Sequence, residues 1–347
     1  MSRKHITIYD IAREAEVSPA TVSRILNGSN RVKEENRRRV NELIEKYNFR
    51  PNAMARALSD TRSRLIGMVF ADTNNPYYSS VSTACVNEAY KRGYSVMMYN
   101  TLSRGEAESA AVARLREQRA EAIIIFGGRV DLTCQDEEFV SLIDSTLDTM
   151  PVVFASKSQN PRVHGVAVDH ERSMELAMEY LLQLGHRNIG FVYTGERNYG
   201  TKEKLDRFRH IMAENGLPIH EEWMISVQNY DCESGREGIE KLMQQQHRPT
   251  ALLGLNDMIA AGVLQGLLAH GVRVPEDISL IGFDDTFITA ITSPQLTAIH
   301  YDYDEYARML MDTAIGAIEG REMPWNQMVE CRLLQRKSCA APKMKNG

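Results

Sequence analysis

Two stretches of this 347-residue chain hold residue types at spacings that suggest chemistry. Near the start, "SPATVSRIL" (18–26) gathers the hydroxyls of Ser18, Thr21 and Ser23 and the guanidinium of Arg24. Hydroxyls can meet phosphates, and a guanidinium can reach a guanine edge. Much later, "IGFDDT" sets Asp284 beside Asp285. Adjacent residues of an extended segment point opposite ways, so these carboxylates need not share a substrate. The nine histidines show no metal-ligand spacing, and a lone one such as His186 in "LGHRNIGF" reads as structural. The five cysteines (Cys85, Cys134, Cys232, Cys331, Cys339) form no C-x-x-C pair and read as free thiols of a reducing compartment. No G-x-S-x-G, G-x-x-x-x-G-K-[ST], H-E-x-x-H or strand-following G-x-G-x-x-G occurs. The expectation is a protein without catalytic residues, metal or cofactor.

The first stretch needs helices to present it. Thr7 suits a helix N-cap, with Asp10 as its capping-box partner. Ile8, Ile11, Ala12 and Ala15 then line one apolar stripe. After a break at "EVS", Ser18 is a second cap and Pro19 fits the first helical position. That helix should end at Asn27-Gly28. A third helix carries Val40, Leu43, Ile44 and Tyr47 on one face. Two short helices joined by a turn and braced by a third make a helix-turn-helix. Its second helix exposes Pro19, Ala20, Thr21, Ser23 and Arg24, and the small leading residues let the backbone approach a major-groove floor. Charge points the same way. Residues 1–64 hold 14 Lys and Arg against 8 Asp and Glu, whereas the remaining 283 hold 27 against 38. A basic head on an acidic body attracts a polyanion at one end only.

The length predicts two or three domains. From Leu65 onward the runs "LIGMVF", "YSVMMYN", "AIIIF", "PVVFA", "NIGFVY", "ALLGL" and "SLIGF" alternate with helical segments. Such alternation predicts parallel sheets with helices on both faces, in two similar lobes. Apolar runs are too short to span a bilayer, and "MSRKHITIYD" has no apolar signal region, so a cytoplasmic protein is expected.

Taken in order, "TIYDIAREAEVSPATVSRILNG", "RPNAMARAL" and "LIGMVFADTNNPYY" resemble the lactose/galactose repressor (LacI/GalR) family of bacterial transcription regulators, and the resemblance runs to the end of the chain. It implies an α/β protein in which an all-α helix-turn-helix headpiece (1–50) precedes a hinge helix and linker (51–62). A two-lobed periplasmic-binding-protein-like body (63–340) and a tail (341–347) follow. The chain would cross between lobes near 160, 290 and 322. The expected DNA contacts are Thr7, Tyr9, Ser18, Pro19, Ala20, Thr21, Ser23, Arg24 and Asn27, with Asn52, Ala55 and Leu58 from the hinge. Leu58 would be the wedge that pries open a base step from the minor groove.

For the cleft between the lobes, strand-end positions that match the family's motifs give Asp72, Asn75, Tyr77, Lys204, Asn256, Asp257, Asp284 and Tyr301 as effector contacts. Lys157 is a second cation near the same place. Asn256 or Asp257 could instead cap a helix, and Tyr77 could be core. Glu16, Lys33, Lys204 and Arg207 depart from the residues usual in the family (Gly, Ser or Thr, Arg, and Gly in turn). A lysine where relatives use arginine suggests an effector with a negative group, a sugar acid or sugar phosphate. The whole reads as a homodimeric repressor of a roughly palindromic double-stranded operator, controlled by a sugar or sugar derivative, with no membrane role. The dimer surface would lie around residues 78–92, and the tail "KSCAAPKMKNG" has no heptad for a tetramer. A sugar-binding transport component or a sugar-modifying enzyme are the competing classes.

Overall fold

The structure, a computed structural model, describes residues 6–26, 32–47, 49 and 62–343. Contacts divide the chain into two compact units at Ser63/Arg64.

The first unit holds three helices, α1 (Ile8–Glu14), α2 (Pro19–Leu26) and α3 (Glu34–Lys46). Thr7 and Asp10 cap α1 reciprocally, as the sequence predicts. Ser18 accepts the Thr21 N–H at 3.2 Å and so caps α2. Lys33 begins α3 with no side-chain cap. The stripes of the three helices converge on Ile11, Val22, Ile25 and Val40. Each such buried side chain contributes roughly 1.5–3 kcal/mol. Glu16 in the turn adopts φ 55°, a left-handed conformation that glycine would accept without strain.

The second unit contains two six-stranded sheets, each flanked by helices. The first lobe has strands β1 (Leu65–Phe70), β2 (Ser95–Asn100), β3 (Ala122–Phe126), β4 (Val152–Phe154) and β5 (His164–Val168). The second has β6 (Ile189–Thr194), β7 (Met224–Val227), β8 (Ala251–Gly254), β9 (Ser279–Asp284) and β10 (Thr297–Tyr301). Strands β11 (Asn326–Val329) and β12 (Cys331–Leu334) complete the first and second sheets in turn. The orders are β11-β5-β4-β3-β1-β2 and β12-β10-β9-β8-β6-β7, parallel throughout except for the β10–β12 pair. The central strands β3, β6 and β9 are buried along their whole length, the pattern of strands covered on both faces.

Helices α4 (Pro76–Lys91), α5 (Gly105–Glu117) and α6 (Glu137–Leu147) belong to the first lobe. The second has α7 (His170–Gln183), α8 (Tyr199–Glu214), α9 (Cys232–Met243), α10 (Asp257–Ala269) and the short α11 (Phe287–Ile291). Helix α12 (Tyr303–Ile318) packs back on α4 and on strands of the first sheet.

The chain crosses between lobes at other places than 160, 290 and 322. The first crossing is at Asp169, because "HGVAV" forms β5 and still belongs to the first sheet. The second follows β10 at Asp302, and the third is Glu330 between β11 and β12. In each case a short strand that carries no strong run of its own extends the sheet past the expected boundary. His186 is structural: buried, it contacts Thr250 Oγ1 at 2.9 Å and the Ala340 carbonyl at 2.9 Å.

Candidate DNA-reading face and effector cleft

In the headpiece, packing decides which residues face outward. Val22 and Ile25 are buried, so the opposite side of α2 and the turn before it expose Ser18, Pro19, Ala20 and Arg24, with Thr21 and Ser23 half-buried beside them. Thr7 and Tyr9 are also exposed. The Ser18 and Thr21 hydroxyls contact each other at 2.9 Å. Glu16 has Arg39 as an ion partner at 3.9 Å, an exposed pair of little energetic weight. Asn27, Asn52, Ala55 and Leu58, and with them the hinge helix, lie outside the described residues.

In the body, a cleft of about 740 Å³ opens between the lobes, within the size range of small-molecule sites. Its walls are the carboxyl ends of the strands: Asp72 after β1, Asp131 after β3, Lys157 after β4, Asn256 after β8, Asp284 ending β9 and Tyr301 ending β10. This is the place where open α/β sheets hold ligands. Gly127 makes the turn after β3 possible, with φ 73° and an ideal Cβ that would come 2.0 Å from the Tyr78 hydroxyl.

Of the nine effector contacts expected from the sequence, eight line this cleft: Asp72, Asn75, Tyr77, Lys157, Lys204, Asn256, Asp284 and Tyr301. Asp257 does not. Its carboxylate takes the Thr286 N–H at 2.5 Å and the Thr286 hydroxyl at 2.8 Å, which ties the start of α10 to the segment after β9. Asn256, one residue earlier, is the cap, accepting the Ile259 N–H at 2.8 Å while its amide donates to the Tyr230 carbonyl at 3.0 Å. Asn75 likewise caps α4 through the Tyr77 N–H. Tyr77 combines core and cleft, with its ring edge-on to Tyr78 at 5.1 Å. Arg207 does not line the cleft; it pairs with Glu175 at 2.9 Å.

Lys204 is buried, donates to the Leu255 carbonyl at 3.2 Å and lies 4.2 Å from the centre of the Phe283 ring. Burial pulls its pKa down to about 8, opposed by the nearby charge of Asp284. Burial lifts Asp284 to about 7, and Lys204 opposes that rise. The two compensate each other. Lys157 forms an ion pair with Glu203 of the other lobe. Lys157 is therefore already paired with a carboxylate, while Lys204 is held by a backbone carbonyl within reach of the charge of Asp284.

Several cleft groups lack any motif. Asp131 is held near pKa 6 by burial, against hydrogen bonds from Ser156 and Asn198. It follows a strand, so the strand-end rule would have reached it. His170 and Glu203 sit on α7 and α8, where no spacing rule points to them. Across the cleft mouth, the Thr133 N–H donates to the Arg197 carbonyl at 2.8 Å, and Leu132 bridges Asn198. Among the described residues no cluster of three His, Cys, Asp or Glu side chains could hold a metal ion, and no helix is long and apolar enough to cross a membrane.

A helix-turn-helix with an exposed reading face, on the same chain as a two-lobed receptor, defines a ligand-responsive DNA-binding protein. Residues 7–52 match the model of the lacI family of bacterial regulatory proteins, and residues 178–339 match that of a periplasmic binding protein-like domain. The chain is 32% identical to catabolite control protein A of Priestia megaterium, over 88% of this chain and 92% of that one. It is 31% identical to the HTH-type transcriptional repressor PurR of Aliivibrio salmonicida (strain LFI1238), covering 85% and 86% of the two chains. The crystal structure of the lac repressor dimer bound to operator and the anti-inducer ONPF superposes with a TM-score of 0.87 at 27% identity, covering 97% of this chain and all of that one. The chain belongs to the lacI family. It is a transcriptional regulator, and the relatives on which this rests are regulators rather than enzymes.

Proposed function

We propose that the protein works in the cytoplasm as a homodimeric repressor that reads a roughly palindromic operator and changes its grip when a small hydroxyl-rich effector occupies the cleft. The observation that carries this is the exposed row Ser18, Pro19, Ala20 and Arg24 on a basic three-helix unit joined to a cleft-bearing body. Arg24 reads a base edge, while Thr7, Tyr9, Thr21, Ser23 and Asn27 position the helix on phosphates and neighbouring edges. Asn52, Ala55 and Leu58 add DNA contacts, with Leu58 as the wedge at a central base step. In the cleft, Asp72, Asn75, Asn256, Asp284 and Lys204 take hydroxyls, and Tyr77 and Tyr301 supply aromatic surface. Lys157 lies at the edge of this set and Asp257 supports it from behind. The effector acts through its preference for one lobe arrangement, a coupling of about 1–3 kcal/mol.

Deleting residues 1–60 tests the division of labour. DNA retention should vanish, while sugar-induced changes in the melting temperature of the body persist. A truncated protein that still binds operator, or one that loses its sugar response, would contradict it.

A further inference from the structure

Among the described residues, four buried polar atoms on the cleft wall have no hydrogen-bond partner: Arg129 Nε, which has only the Glu108 carboxylate at 3.5 Å, and His170 Nδ1, Glu203 Oε2 and the Tyr301 hydroxyl, which have no ion partner either. A buried polar atom left unmet is costly, so the last three mark a place where a bound molecule supplies the partners. All three line the same cleft. The charges of Lys157 and Lys204 both act on His170, Glu203 acts on Lys204, and Asp284 acts on both Lys204 and Tyr301. Burial keeps His170 neutral, with one nitrogen to donate and one to accept.

Glu203 stands out because its two oxygens have different tasks. Oε1 contacts Lys157 of the opposite lobe, and Oε2 is the unmet atom. We propose that Glu203 is the specificity and closure residue of the cleft, one oxygen clamping Lys157 across the lobes and the other accepting a hydroxyl of an uncharged, hydroxyl-rich ligand. This rests on the reading of the cleft as the effector site.

Charge selects the ligand class. Lys157 is matched by Glu203, Lys204 donates to the Leu255 carbonyl and feels the charge of Asp284, and Arg129 contacts the buried Glu108 at 3.5 Å. Arg197, exposed at the rim, shares the wall with Asp72, Asp131 and Asp231. A carboxylate or phosphate that took Lys157 would strand Glu203 as an unpaired, largely buried charge, which acts as discrimination against anions. A neutral polyol leaves the pair intact and adds a hydrogen bond to it. Because the clamp exists only when the lobes meet, a ligand held by the same carboxylate favours the closed arrangement.

The test uses full-length protein, thermal denaturation against glucose, galactose and cellobiose, and the charged counterparts gluconate, galacturonate and glucose 6-phosphate. At least one neutral sugar should raise the melting temperature, and its charged counterparts should not. Glu203→Ala should weaken that sugar by about tenfold or more, the scale of one hydrogen bond to a charged group. Lys157→Met should weaken it less, and Lys157→Arg should restore it. Without ligand, small-angle scattering should find Glu203→Ala and Lys157→Met more extended than the parent. If Glu203→Ala binds the sugar within twofold of the parent, or if only charged counterparts bind, the role of Glu203 is overturned while the cleft stands as the effector site. If neither series binds, the cleft reading itself falls, and this proposal with it.

Discussion

Asp131 shows how much one half-buried carboxyl in the cleft can say about pH. Its folded pKa of about 6 lies above the ordinary 3.8, so the folded protein retains a proton that the unfolded chain has released. Stability therefore falls as pH rises from about 4 to about 6 and stays reduced above that. Asp131→Asn removes the penalty. We expect it to stabilise the body by about 1 kcal/mol or more at pH 7.5 and to have no effect near pH 4, read by urea denaturation at both values. An equal gain at both pH values would contradict the burial account. At this scale the sequence was legible where a residue follows a strand, and eight of nine expected cleft residues are there. It was silent on His170 and Glu203, which owe their place to the approach of two lobes distant in sequence. It placed Lys157 near the cleft but was silent on its ion partner Glu203, which lies 46 residues away.

Elements follow from local rules more directly. The capping box at Thr7 and Asp10, Pro19 at the head of α2 and the stripe through Val40 and Leu43 were all readable, because each depends on residues within one or two turns. Long buried strands were equally clear. Strands β5, β7, β10, β11 and β12 were not, being four or five residues each and set by the neighbours they pair with. Lys33 marks an element left imperfect, since α3 starts without a side-chain cap. Lys33→Ser should supply one, raising local stability by about 0.5–1 kcal/mol. Hydrogen exchange of the Asn36 and Arg37 amides in the full chain would report it as slower exchange. Unchanged or faster exchange would show that α3 is held by packing alone.

Over the whole chain, a basic head and an acidic two-lobed body are two separate pieces of physics that one molecule must connect. The head supplies charge and a small-residue helix face; the body supplies a cleft whose walls come from opposite lobes, so that occupancy and lobe arrangement are one equilibrium. The most direct test is to select binding sites from random duplex DNA with the full-length protein, then measure affinity for the enriched site across salt concentrations and with sugars added. The account predicts two related half-sites about one helical turn apart, affinity that falls steeply with salt, and a change of about 5–150-fold with the sugar that fits the cleft. Folded protein that enriches no sequence over a scrambled competitor, with or without sugars, would contradict it.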